Sequence, residues 1–244
     1  MQGNGADKLR KFADLHLRPP LHDIETAEKM AQLAAEIGLY LVGITFDYQV
    51  PKEQRLDMIK LFKNQGLKTV SRIDIRPRGK NELLRSLRAV REAFDIVAVE
   101  CSNRQVSSAA FRDKRIDLVF FSPNRLESRL SLLMPKRLKR PVEFNITDML
   151  DAHPASALNL RRSLNLLTEA RRRRMPIVVS SGAKNHVSMK AARDMAAVIS
   201  VLGLDAKQGT DSVSSIPISL TTRALDRQEP GFVAEGTRLV RMRS

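Results

Sequence analysis

IVAVECS, residues 96–102, opens with four consecutive apolar residues and finishes on polar ones, and six further runs in the chain have the same form: 12–17, 41–47, 70–76, 118–122, 142–147 and 177–181. A strand buried on both faces reads as such a run, and most of these are followed by a segment with helical spacing. The alternation predicts a parallel sheet, and seven or more units in a chain of 244 residues predict a (β/α) TIM-like barrel folded as a single domain, 1–244. In that architecture the C-terminal strand ends share one mouth, where function is to be sought.

Helices are expected around residues 23–37, from Pro51 to Gly66, and at 80–93, 103–112, 126–133, 155–174 and 188–202. Ala27, Met30, Ala31, Ala34 and Ile37 mark the apolar stripe of the first, with Gly38 placed to end it. An open doubly wound sheet would give similar strands, but no strand is followed by G-x-G-x-x-G or a glycine-lysine phosphate loop. The eighth strand is hard to place. KQGTDSVSSIP, 207–217, reads as polar and turn-prone, so the closing strand is expected to be short there or to lie in the tail VAEGTRLVR. The two ends, 1–10 and 231–244, are expected to be flexible or peripheral.

Charge bounds the partners. Forty-two Lys and Arg against 27 Asp and Glu give +15, which points to a polyanion, and the 5% aromatic content argues against a reader built on base stacking. Phosphate contacts are therefore expected to dominate. No segment is apolar over the length of a membrane span, and the lone Cys101 fits a reducing compartment, so the chain is expected in the cytoplasm. Cys101 itself reads as an inert, partly buried thiol.

Sorting the cations by their place relative to the strands puts Arg72, Arg76, Arg78, Arg104, Arg125, Lys184 and Lys190 in or near the mouth. Lys136, Arg137, Lys139, Arg140 and the run Arg171 to Arg174 precede strands six and seven and fall at the opposite end. There, complementing a helix dipole and binding RNA are equally good explanations.

Enzyme chemistry at the mouth has candidates. Asp14, His16, Asp47, Asp74 and Glu100 could gather as ligands for a divalent metal in a phosphoesterase, though carboxylates paired with arginine, Asp74 with Arg72 or Glu100 with Arg104, explain them as well. Ser180 and Ser181 lack a nucleophile elbow and an assigned base. They read as turn-forming or, with Gly182 and Lys184 in SSGAKNH, as part of an anion cradle.

The segments FADLHL (12–17), VAVECSN (97–103), DLVFFSPNR (117–125), PVEFNITDML (141–150) and IVVSSGAKNHVSMKAARDM (177–195) together resemble the TIM-barrel protein subunit of archaeal and eukaryotic ribonuclease P, called protein component 3 in archaea. The likeness covers about residues 10–220. It implies a fold related to the polymerase and histidinol phosphatase barrels, no catalytic residues on this chain, and a role in removing the 5′ leader of precursor tRNA. It also implies magnesium held by the holoenzyme RNA and a small ferredoxin-like partner subunit, component 2. The family's RNA contacts correspond to Arg125 and Lys190, and approximately to Arg104. The phosphatase barrels begin His-x-His where this chain has Asp14-Leu15-His16, so Asp14 and His16 are expected to be vestigial. A metal-dependent phosphoesterase is the rival reading, and a general RNA-binding barrel is the third.

Overall fold

The computed structural model describes residues 10–122, 134, 135, 137, 139–150, 156–229, 232–234 and 237–238. The expected helix at 126–133 and Arg125 lie outside them, as does most of both ends. The seven expected strands are all present: β1 (Phe12–Leu17), β2 (Leu39–Phe46), β3 (Lys68–Ile75), β4 (Ile96–Glu100), β5 (Leu118–Phe120), β6 (Val142–Asn145) and β7 (Ile177–Ser180), paired in parallel in that order. Between them run α1 (Ile24–Glu36), α2 (Lys52–Lys63), α3 (Lys80–Val90), α4 (Arg104–Arg112), α5 (Ile146–Leu150) and α6 (Ser156–Arg172). After β7 come α7 (Ala192–Val201), α8 (Ala206–Ser212) and α9 (Ser215–Asp226), and a small antiparallel pair, β8 (Phe232–Ala234) with β9 (Thr237–Arg238).

Helix limits follow local chemistry. Asp23 caps α1 by accepting the Thr26 amide, Asn103 caps α4 through Val106, and Gly38 and Gly66 take the positive φ that follows α1 and α2. Arg174 takes the same left-handed place after α6, φ +53, where glycine is usual. Its N–H and that of Met175 turn back to the carbonyls of Arg171 and Ala170. Arg174→Gly is expected to raise folding stability by roughly 0.5–1 kcal/mol, since it relieves the left-handed strain at some cost in chain entropy. Equilibrium urea unfolding measures it, and a loss of stability would contradict the assignment.

The barrel does not close as the sequence suggests. Residues 207–217 are mostly helical, because Asp205 and Gln208 form a capping box that starts α8, and the tail strands pair with each other rather than with the main sheet. Among the described residues no eighth strand joins the sheet. The gap between β7 and β1 is spanned by single contacts: Ala13 N–H to Val213 O (2.9 Å), Arg18 N–H to Ala183 O (2.8 Å), and the Ser181 amide to the Asp14 carboxylate (3.2 Å). Leu220 and Ala224 of α9 complete the apolar floor formed by Ala13, Leu15, Leu41, Val70, Ile96, Ala98, Leu118 and Val178. The outward faces of the strands and the helices make the larger core.

Above this floor the interior turns polar. One irregularity sets it up: Asp14 pairs with Val42 and Leu17 with Ile44, so Leu15 and His16 together face Gly43 in a β-bulge. A β-carbon on Gly43 would lie 2.5 Å from the Leu15 carbonyl oxygen. The bulge turns that carbonyl into the barrel and brings His16 to the polar centre, where Arg72 Nη1 donates to Leu15 O at 3.0 Å.

Candidate functional site

The centre of the mouth is occupied by Arg72. Two-residue periodicity along β3 aims Arg72 and Asp74 inward with Val70. The Arg72 side chain is 0% exposed and donates from Nη1 and Nη2 to Glu143 (both 2.5 Å), from Nε to Asp74 Oδ1 (2.8 Å), and to Leu15 O. Expected among the RNA-facing cations, Arg72 instead turns inward, fully buried and with four of its five N–H groups engaged. The expected Arg72–Asp74 pair is present. Around it Arg18 donates to His16 Nε2 and to Asp74 Oδ2, each at 2.8 Å, while His16 Nδ1 is 3.5 Å from Glu143 Oε2 and 3.4 Å from the Asn145 amide. Ser180 Oγ donates to Glu143 at 2.6 Å.

The metal-ligand set does not assemble. Asp47 is exposed, and among the described residues no three His, Cys, Asp or Glu side chains gather as they would to hold a metal ion. Asp14 is spent on the amides of His16 and Ser181, and Glu100 lies 3.9 Å from Arg76 rather than beside Arg104. His16 comes close to Asp74 and Glu143, but the lone pairs a cation would need are directed at guanidinium groups: Arg18 claims His16 Nε2, and Arg72 bonds both carboxylates. These donors do not fit a metal. Arg18 and Glu143 are the members that sequence reasoning missed. Glu143, flanked by Val142 and Phe144 in a buried strand, was the available signal.

Electrostatics follow the pairing. Burial would raise Asp74 and Glu143, but Arg72 foremost, with His16, outweighs it and holds both below the ordinary carboxyl range, Glu143 well below. Burial raises Asp14 and pushes the fully buried Cys101 thiol up to about 12, consistent with an inert thiol. Asp74 and Glu143 therefore contribute stability that is fully present above the unfolded carboxyl values, about 4 to 4.5, and is lost as the pH falls through the depressed folded ones. Asp14 acts oppositely, and its cost of ionisation disappears in acid. Asp23, Asp113, Glu169 and Asp211 are lowered as well and Asp148 is raised, so with six carboxyls against two the urea midpoint should drop between about pH 7 and pH 3, with a flatter acid limb for Glu143→Gln. An acid limb of equal steepness in that variant would contradict this account.

The cations that do reach solvent ring this centre. Arg76, Arg78, Arg104 and Lys184 are exposed, and Lys190 is half-buried with Nζ donating to Ser188 O and Met189 O. Arg76 also leans over the Phe120 ring. The SSGAKNH loop is not an open amide cradle: Ser181 Oγ accepts from Ala183 N–H, and Ser188 Oγ from Lys184 and Asn185. Ser180 and Ser181 thus serve pairing and turn formation. Gly182, φ +69, lets the turn press against the Asn145 amide, which a β-carbon would meet at 2.0 Å.

A profile of the family described as RNase P subunit p30 matches residues 11–229. The chain belongs to the RNase P subunit p30 family. Relatives of this family member include "Ribonuclease P protein component 3" of Methanosarcina barkeri, 21% identical over 93% of this chain and 94% of that one. The Methanosarcina mazei protein of the same name is 25% identical over 60% and 62% of the two chains. Among solved structures, a chain of archaeal ribonuclease P with mature tRNA superposes with TM-score 0.75 at 16% identity, covering 94% of this chain and 99% of that one. Molinate hydrolase superposes at 0.60 with 10% identity over 89% and 74%, a likeness of barrel alone. The p30 family member thus has a TIM-like barrel around a centre closed by arginine.

Proposed function

We infer that the chain works as a protein subunit of ribonuclease P and supports the catalytic RNA in endonucleolytic removal of 5′ leaders from precursor tRNA. The family match along residues 11–229 carries this reading. The Arg72 centre favours a supporting role over a catalytic one, because its carboxylates and imidazole are already committed. On this reading the chain holds no metal of its own, and magnesium belongs to the RNA. Exposed Arg76, Arg78, Arg104 and Lys184, with Lys190, supply phosphate contacts at the mouth, and Arg125, outside the described residues, is proposed as a further RNA contact. Component 2 is proposed as the protein partner and the cytoplasm as the compartment. No described helix is long and apolar enough to cross a membrane.

Reconstitution tests this directly. Adding the chain to ribonuclease P RNA and the remaining subunits should raise precursor-tRNA cleavage, while the chain alone should hydrolyse no phosphoester with added manganese or zinc. Combined replacement of Arg76, Arg78 and Lys184 by Gln should lower the slope of log affinity against log salt by about 2–3, near one unit per lost phosphate contact. Turnover by the isolated chain that His16→Ala abolishes would favour the metal-dependent phosphoesterase instead.

A further inference from the structure

The end of the barrel opposite the mouth carries a second band of cations that the centre described above does not use. The turns entering β5, β6 and β7 lie side by side, since Val119 N–H donates to Pro141 O (3.0 Å) and Val142 N–H to Pro176 O (2.9 Å). Two side chains tie the turns together: Arg140 Nη2 donates to Asp113 O at 2.8 Å, and Lys139 Nζ donates to Arg173 O. Along this band Lys114, Arg137, Lys139, Arg171 and Arg174 are exposed.

The nearby acids are already taken. Asp113 pairs with Arg115, and Glu169 with Arg172 and Arg173. Among the described residues, none of the five exposed cations forms an ion pair with a carboxylate. A helix dipole accounts for Arg171 in the last turn of α6, but Arg137 lies on no described helix, and Arg174 is past the end of α6. Arg174 also keeps an arginine in a left-handed backbone position that glycine would fill with less strain. Stability does not explain that side chain, whereas a charge needed at that point does.

The chemistry selects the partner. These turns present no exposed large apolar side chain among the described residues, with Met134, Ile116 and Met175 all buried, whereas protein interfaces centre on aromatic and Met side chains. Three of the five cations are arginines, whose planar forks match phosphate oxygens. We propose that this band is a second RNA-backbone site, so that the chain grips phosphodiester at both ends of its barrel and bridges two segments of folded RNA. This rests on the ribonuclease P reading above and adds to it a site distinct from the mouth.

Three variants of the full chain test it against ribonuclease P RNA: Arg137→Gln/Arg171→Gln/Arg174→Gln at the band, Arg76→Gln/Arg78→Gln/Lys184→Gln at the mouth, and all six together, each checked for an unchanged thermal midpoint. Each triple should lower the salt slope of binding by about 2–3, the six-fold variant by the sum, and hydroxyl-radical footprints should fade at different nucleotides for the two triples. Unchanged binding by the band triple, with weakening by the mouth triple, overturns the second site and leaves the functional reading standing. Unchanged binding by both overturns the RNA-binding reading as well. Loss of affinity for a protein subunit with RNA binding intact, or fading at the same nucleotides in both triples, also overturns the proposal.

Discussion

Replacing Arg72 with Met lowers the folding stability by about 3–5 kcal/mol, the usual cost of stranding one side of a buried ion pair. The size follows from what Arg72 neutralises: Asp74 and Glu143, with side chains 7% and 1% exposed, both lean on the one guanidinium. Arg18 remains for Asp74, but Glu143 keeps only Ser180 and His16. A neutral side chain of similar length fills much of the space, so lost packing contributes little. The pH dependence separates this cause from a general packing fault. In the wild type the paired carboxyls stabilise at neutral pH and lose that contribution in acid. Without Arg72 the same groups are buried and unpaired, their folded pKa values rise, and the deficit shrinks as they take up protons. The variant should therefore approach the wild type between about pH 7 and pH 4, and Arg72→Met/Asp74→Asn/Glu143→Gln should recover part of the loss. A deficit of constant size across that range would refute the pairing account.

Gly43→Ala is expected to cost roughly 2–4 kcal/mol, combining overpacking with a weakened buried hydrogen bond. Its β-carbon would lie 2.5, 2.8 and 2.9 Å from the O, C and Cα of Leu15, which are backbone atoms and cannot rotate away. Relief requires shifting the bulge that delivers Leu15 O to Arg72. Gly38→Ala is the control: its φ of +76 strains a side chain, but nothing lies within 4 Å of the added carbon. It should cost about 1 kcal/mol and leave the centre untouched. Urea unfolding of both variants measures the difference, and equal losses would mean that the close approach at the bulge does not matter.

Much of the barrel was legible because a parallel strand buried on both faces leaves a continuous apolar run, as IVAVE and PIVVS do. The end of the chain was not. Polar composition at 207–217 reads as a turn, yet the pair Asp205 and Gln208 starts a helix there, a three-residue spacing easily hidden among Gly, Thr and Ser. At the site, position after a strand was too coarse a guide. It grouped Arg72 with Arg76 and Arg78, although β3 ends at Ile75 and only the latter two lie beyond it. The link between Glu143 and Arg72 spans 71 residues of chain and no local pattern announces it.

The seam between β1 and β7 gives this barrel a weak meridian. Every other neighbouring pair of strands is joined by a ladder, whereas here a carboxylate, two backbone bonds and the packing of α7 and α9 span the gap. A hoop fastened in this way opens at its clasp before its staves separate. The amides of Arg18 and Ser181 are therefore expected to exchange their hydrogens with solvent before those inside the β2 and β6 ladders.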